Sequence, residues 1–341
     1  MIPIWAQALL IVILALLIDR FIGEFPNKYH PLRWMGNILG GIDKRLNKRK
    51  GTYALVLGLL SYLFVLLLFG GLAITVTAIS RSYIPNPYGT IVWIVLSAFI
   101  LKSTFAIFSF DKHCEPICAD LEKGNTVDAA KKVSMIVSRE TEGMNSEQIS
   151  SSCCETISEN FADSVCSPTF YMGLLGIPGA FMFRCTNLMD AMWGYRNEKY
   201  DSLGKFPARF DDVLGFLTSR ISAVFIVIGS AILGMNWKQA SKIAKRDNGV
   251  TPSPNSGWPM AAAAGALDIR MEKKNSYVIN GEANIPNYKD VRNCLRLIEI
   301  SSILFMLLVI LPLFVFAGVN VQIFFENLIV NGIELIRGLL V

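Results

Sequence analysis

Charge is scarce in this chain. Only 17% of its 341 residues are Asp, Glu, Lys or Arg, against 52% hydrophobic, and mean hydropathy is +0.44. So few polar groups cannot cover a water-soluble surface, which excludes the ordinary globular class. No Gly-x-x-x-x-Gly-Lys-Ser/Thr run occurs, so a P-loop nucleotide site is excluded. The seven cysteines are odd in number and irregularly spaced, which argues against a disulfide framework and for free thiols. His113, Cys114 and Cys118 lack a fourth partner, so a structural role outweighs a metal site there. The apolar run Ile2 to Ile18 has no basic residue before it and no small-residue cleavage site after it, so it is expected to stay as a membrane helix. There is no internal repeat and no low-complexity stretch.

What is present is a set of long apolar runs. Thr52 to Ser80, Ser82 to Leu101 and Ile303 to Phe325 approach or exceed the roughly 20 residues that a bilayer core demands of a helix. The net charge of +5 does not point to nucleic acid, because the basic residues concentrate beside these runs. Arg20, Lys28, Arg33, Lys44, Arg45, Lys48, Arg49 and Lys50 mark the first loop as cytoplasmic. The turn at Pro85-Asn86-Pro87 then reads as external.

From Lys102 to Ser164 the composition turns polar with helical spacing, predicting a cytosolic helical insert. Asn145 with Gln148 forms a capping-box pattern that opens a helix through Glu155 and Glu159 toward Asp163. Val165 to Phe183 is uncharged but interrupted by Pro168, Gly173, Gly176, Pro178 and Gly179, predicting a broken or re-entrant segment. Ile221 to Trp237 reads as short for a crossing, and Arg184 to Arg220 is placed on the inner face with the other polar motifs. Thr251 to Pro259 is a rigid turn cluster before an alanine-rich helix, suited equally to holding a ligand or to joining helices. Val321 to Val341 suggests an amphipathic or packed last helix. The fold class is therefore an all-α, polytopic integral membrane protein with about four to six membrane helices. Its expected segments are 1–101, membrane helices and a basic loop; 102–220, the insert and core motifs; and 221–341, the turn and terminal helices.

Glu155, Glu159 and Asp163 recur every four residues, drifting ~40° per step along ~12 Å of one helix face. A solvated acidic face is the plainer explanation. Because the stripe runs into apolar sequence, divalent-cation binding is favoured, with Mg²⁺ shared between carboxylates and phosphates. Asn187 and Asp190 again share a face, and Tyr195-Arg196-Asn197 and Asp211-Asp212 follow. Surface ion pairs would account for them, yet charges between apolar segments are costly unless they serve a polar cavity. Arg184, Arg196, Arg209 and Arg220 are candidate anion holders, since guanidinium matches phosphate and carboxylate geometry. His30, alone, reads first as a structural hydrogen-bonding residue.

Together these segments resemble the cobinamide-phosphate synthase family of cobalamin-biosynthesis membrane proteins over roughly four-fifths of the chain. The matching stretches are Asp19 to Gly36 with His30-Pro31, Ser138-Arg139-Glu140-Thr141, Glu155-x-x-x-Glu159-Asn160-x-x-Asp163, Asn187-x-x-Asp190, Gly194-Tyr195-Arg196-Asn197, Asp211-Asp212 and Ser253-Pro254-Asn255-x-Gly257-Trp258-Pro259. Glu24 and Glu140 stand where that pattern commonly has Asp, and Ser164 where it has Gly. The resemblance implies a cytoplasm-facing enzyme of the cell membrane that joins a propionate of adenosylcobyric acid to aminopropanol, its phosphate or threonine phosphate, with ATP and Mg²⁺. It then implies Glu155, Glu159, Asp163 and Asp190 as metal ligands. Arg139, Arg196 and Arg220 would neutralise the transferring group, and Asp211, Asp212 or His30 would take the amine proton. Asp19, Asn160, Arg184, Asn187, Tyr195, Asn197, Arg209, Asn255 and Gly257 would bind substrate or ATP. Partners are the corrinoid, the amine and the bilayer, with room for a homo-oligomer and none for nucleic acid. The competing class is a transporter or sensor on the same scaffold. Its ionisable residues would be expected near the membrane midplane, not in connections at one face.

Overall fold

The computed structural model describes residues 2–46, 49–195 and 197–340. Among them the chain is almost wholly helical, apart from one antiparallel hairpin of β1 (Met271–Lys273) and β2 (Tyr277–Ile279). Four helical segments are long and apolar enough to cross a membrane: Ile4–Phe21, Gly51–Tyr83, Lys205–Ile232 and Tyr288–Leu339. A fifth apolar helix, Tyr88–Lys102, is shorter. The protein is thus an all-α, multi-pass membrane protein.

Two compact units interleave along the chain. The first comprises Met1–Phe105, Ser167–Leu214 and Leu307–Val341; the second comprises Ala106–Cys166 and Gly215–Met306. The polar insert therefore joins the turn cluster and the hairpin to make a unit of its own.

The first unit holds α1 (Ile4–Phe21), α2 (Pro31–Leu46), α3 (Gly51–Tyr83), α4 (Tyr88–Lys102), α8 (Ser167–Leu175) and α9 (Ile177–Trp193). It also holds α14 (Leu311–Leu313) and α15 (Val319–Leu340). Its core is built from Met35 and Leu39 of the amphipathic α2, Tyr62, Val65 and Phe69 of α3, and Phe181, Met189 and Trp193 of α9. Leu60, Phe64, Leu67 and Leu72 of α3 are exposed. An outward face that apolar suits lipid better than water. The expected break after Val165 falls at Gly176, whose positive φ of 69° ends α8 and starts α9.

A buried polar knot ties three helices of this unit. Glu326 of α15 is fully buried, accepts from Trp93 Nε1 at 2.7 Å and Gln322 Nε2 at 3.1 Å, and pairs with Arg81 at 3.1 Å. Trp93→Phe removes one of those donors from a buried carboxylate, so it is expected to cost about 1–3 kcal/mol, read as a lower Tm in detergent.

The second unit holds α5 (Ser109–Glu122), α6 (Thr126–Val133), α7 (Ser146–Asn160), α11 (Trp237–Asp247), α12 (Gly257–Leu267), the hairpin and α13 (Tyr288–Phe305). The capping box opening α7 is present: Gln148 N donates to Asn145 Oδ1 at 2.9 Å, and Asn145 N donates to Gln148 Oε1 at 3.1 Å. Ala261 to Ala264 of α12 are all buried, and a Cβ at Gly265 would meet the Gln239 carbonyl at 2.6 Å. The alanine run is therefore buried all round its helix, and Gly265 lets α12 approach α11 closely.

One expectation is corrected. The apolar segment judged short from Ile221 belongs to α10 (Lys205–Ile232), 28 residues long. At ~1.5 Å per residue it exceeds the ~30 Å hydrocarbon core. Its first turns carry Lys205, Arg209, Asp211 and Asp212, which masked the helix start in a hydropathy reading.

Candidate functional site

In the second unit the acidic stripe does not behave as three equivalent carboxylates. Glu155 is buried and takes three donors. It accepts from Arg139 at 2.7 Å, Tyr277 Oη at 2.7 Å and Ser151 Oγ at 2.8 Å. A carboxylate so engaged ties segments together and leaves little capacity for a cation, so the metal role expected of Glu155 is reassigned to anchoring. Glu159, one turn on, is half-buried, and among the described residues no hydrogen bond or ion pair reaches its carboxylate. Burial, then Asp163 and Glu155, push its pKa up to about 7. Beyond Asn160 the helix widens into a π turn, Phe161–Cys166, so Asp163 follows Glu159 through a broader turn than regular α spacing predicts. Such turns recur at functional sites.

An open cavity of about 270 Å³ lies beside these residues. Arg139, Glu159, Asn160, Ser253, Lys273 and Tyr277 are on its wall. The hairpin is fastened to α7 by the Tyr277–Glu155 bond and by Glu272 N donating to Ser151 Oγ at 2.8 Å. The Pro-Asn turn braces itself, with Asn255 N donating to Ser253 Oγ at 3.2 Å and Thr251 Oγ1 to Ser253 O at 2.9 Å. Asn255 is buried, and Arg220 stands 3.4 Å from its Oδ1 with its guanidinium stacked 3.5 Å over Phe216. Gly257 has a packing reason, since a Cβ there would run into the Asn248 carbonyl oxygen. Asn255, Arg220 and Gly257 are not on the cavity wall.

In the first unit Asp19 and Lys102 are buried, 3.0 Å apart, and Lys102 also pairs with Glu24 at 2.8 Å. His30 Nδ1 accepts from Leu32 N at 3.3 Å, and its Nε2 stands 3.4 Å from Glu24. Burial alone would raise the Glu24 pKa, but His30 and Lys102 outweigh it and hold it down to about 2. Asp19 and His30 thus belong to one ion cluster. Asn187 and Asp190 share a face of α9, and Asn187 Nδ2 donates to Asp211 Oδ1 at 3.5 Å. Arg184 and Asp212 are half-buried, while Arg209 and Tyr195 are exposed. The Asn197 side chain is spent on a turn, accepting from Lys199 N and Tyr200 N, each at 3.1 Å. Arg196 lies outside the described residues.

Among the described residues no group of three or more His, Cys, Asp or Glu side chains is placed to hold a metal ion, so the four-carboxylate set is not assembled. Asp190 belongs to the first unit and the other three acids to the second. What remains is the Glu159 and Asp163 pair. Two hard oxygen donors fit Mg²⁺, which commonly takes one or two carboxylates and completes its shell with water and phosphate oxygens. All seven cysteines are free and buried, and burial pushes the Cys118 thiol up to about 12, the state of inert core thiols.

Sequence reasoning missed Lys102, Lys273 and Tyr277. Lys102 closes an apolar run, and the hairpin lies in a stretch with no strand-length alternation; that the lysine ending α4 meets Asp19 and Glu24 in space leaves no linear trace.

These features define a class: an all-helical, multi-pass membrane protein whose polar unit carries an acid- and cation-lined cavity. A model of the CobD/Cbib protein family matches residues 12–328, and the chain belongs to that family. It is 35% identical to a probable cobalamin biosynthesis protein CobD of Methanothermobacter thermautotrophicus, over 87% of this chain and 95% of that relative. A cobalamin biosynthesis protein CobD of Clostridium perfringens is 34% identical, over 78% and 83%. One from Pyrococcus furiosus, also named probable, is 35% identical over 88% and 97%. No solved structure matches the chain.

Proposed function

We propose that this protein joins a propionate carboxylate of adenosylcobyric acid to the amine of aminopropanol, its O-phosphate or threonine phosphate, driven by ATP. The observation that carries this reading is the cavity of the second unit, where Glu159 shares a wall with Arg139 and Lys273 in a member of the CobD/Cbib family. A carboxylate does not accept an amine at neutral pH. Transfer of the γ-phosphoryl group from ATP gives an acyl phosphate and ADP; attack by the amine nitrogen then forms the amide and releases phosphate and a proton. Arg139 and Arg220 neutralise the transferring group, as would Arg196. Asp211 or Asp212 receives the amine proton, with His30 as the alternative. Asp19, Asn160, Arg184, Asn187, Asp190, Tyr195, Asn197, Arg209, Asn255 and Gly257 serve binding or shape. Glu159 and Asp163 would hold Mg²⁺, which supplies charge compensation for the phosphates. A cytoplasm-facing site is part of the same proposal, motivated by the basic loop after α1.

Purified protein in detergent, given adenosylcobyric acid, Mg-ATP and each amine in turn, is expected to yield a corrinoid heavier by the amine less one water. An unchanged corrinoid with every amine, in protein that remains folded, would contradict the proposal.

A further inference from the structure

The cavity is small for what the reaction handles. At about 270 Å³ it falls below the ~300–1,000 Å³ of drug-sized ligand pockets, so what it can enclose is a compact group and not a whole corrin macrocycle. Its polar walls come from three segments of the second unit. Arg139 is held at 2.7 Å by Glu155, which leaves its other N–H groups for a second acceptor. Lys273 is half-buried at the end of β1; among the described residues no carboxylate stands within ion-pair distance of it, and Glu159 is the acid near enough to feel its charge. Its cross-strand partner is Tyr277, which Glu155 fixes at 2.7 Å, so the same buried acid sets both cations. Ser253 and Ser256 add hydroxyls, and Ser256 immediately precedes α12, whose N-terminal end carries positive dipole. Two cations, hydroxyls and a helix start in one small space match a tetrahedral oxyanion better than a planar or neutral group.

We propose that this cavity is a phosphoryl-binding subsite in which Lys273 is the anchoring cation and Glu155 the positioning residue that holds the hairpin and Arg139 around it. For its two natural ligand sources, the nucleotide and a phosphorylated amine, this rests on the amide-forming reading. The subsite itself does not need that reading. Glu159 on the same wall opposes a bare anion, so phosphate is expected to bind more tightly with Mg²⁺ present.

The first measurement is thermal unfolding in detergent with Mg²⁺ and millimolar inorganic phosphate, on wild type, Lys273→Ala and Lys273→Arg. Phosphate is expected to raise the Tm of wild type, to raise that of Lys273→Arg less, and to leave Lys273→Ala unmoved. No rise in wild type, or an equal rise in Lys273→Ala, would overturn the subsite. Because no turnover is involved, a chain that binds phosphate through Lys273 yet forms no amide would keep this inference and lose the reaction. In turnover, Lys273→Ala is expected to raise KM for one phosphate carrier by about 10- to 100-fold, the worth of a charge-assisted contact. A rise for the phosphorylated amine alone names that source, and a rise for ATP alone names the nucleotide. An unchanged KM for both would refute the role. Should Lys273→Ala fail to fold, Lys273→Gln, which keeps most of the stem, and Ser253→Ala carry the same comparisons.

Discussion

Replacing Glu159 by Gln is expected to abolish amide formation while making the protein more stable at alkaline pH. The folded-state pKa of this carboxyl is raised from 4.5 to about 7, with burial as the main cause. A raised acid contributes its full share below pH 4.5, where both folded and unfolded states carry the proton. That share is lost as pH rises through about 7, because the folded chain must then hold an ionised, poorly solvated carboxylate. Gln bears no such charge. In the absence of Mg²⁺ the variant should match wild type near pH 4 and exceed it at pH 8 by about 1–3 kcal/mol, discounted for partial exposure. Tm against pH in chelator, for the two proteins side by side, measures it. Curves that stay parallel across that range would show that Glu159 is ordinarily solvated, and full turnover would remove it from the site.

Lys102→Met carries the largest expected loss of stability. Lys102 has no exposed side-chain surface and satisfies Asp19, also buried, together with Glu24. Removing the ammonium takes away the cation that Asp19 and Glu24 share, and breaking a buried pair from one side costs about 3–5 kcal/mol. Asp19→Asn in the same chain lowers the negative charge left in the cluster and is expected to recover part of that loss. The double variant should therefore unfold above Lys102→Met and below wild type. A single variant as stable as wild type would mean that the cluster is hydrated.

Much of this architecture is legible in the sequence because bilayer spans are read from length and charge alone. The window at Thr52 became α3, the run from Ser82 is broken at Pro85-Asn86-Pro87 and leaves the 15-residue α4, and the Asn145 and Gln148 pair opened α7 as its capping chemistry requires. The start of α10 was hidden because Arg209, Asp211 and Asp212 lower local hydropathy within an otherwise continuous helix. The site was legible as residue types but not as partnerships. Glu155 and Glu159 look alike in sequence, and they differ because Arg139, Tyr277 and Ser151 fold onto one and not the other. Tyr277 lies more than a hundred residues from Glu155, and no local period encodes such a meeting.

The account rests on the second unit's cavity, walled by α7, the Pro-Asn turn and the hairpin, being where substrates are held. Hydrogen–deuterium exchange on the detergent-solubilised protein tests this directly, comparing free protein with protein given adenosylcobyric acid, Mg²⁺, a non-hydrolysable ATP analogue and the amine. Slower exchange is expected in residues 136–160 and 252–277 together. Unchanged exchange in both stretches, with protection appearing elsewhere in the chain, would contradict it.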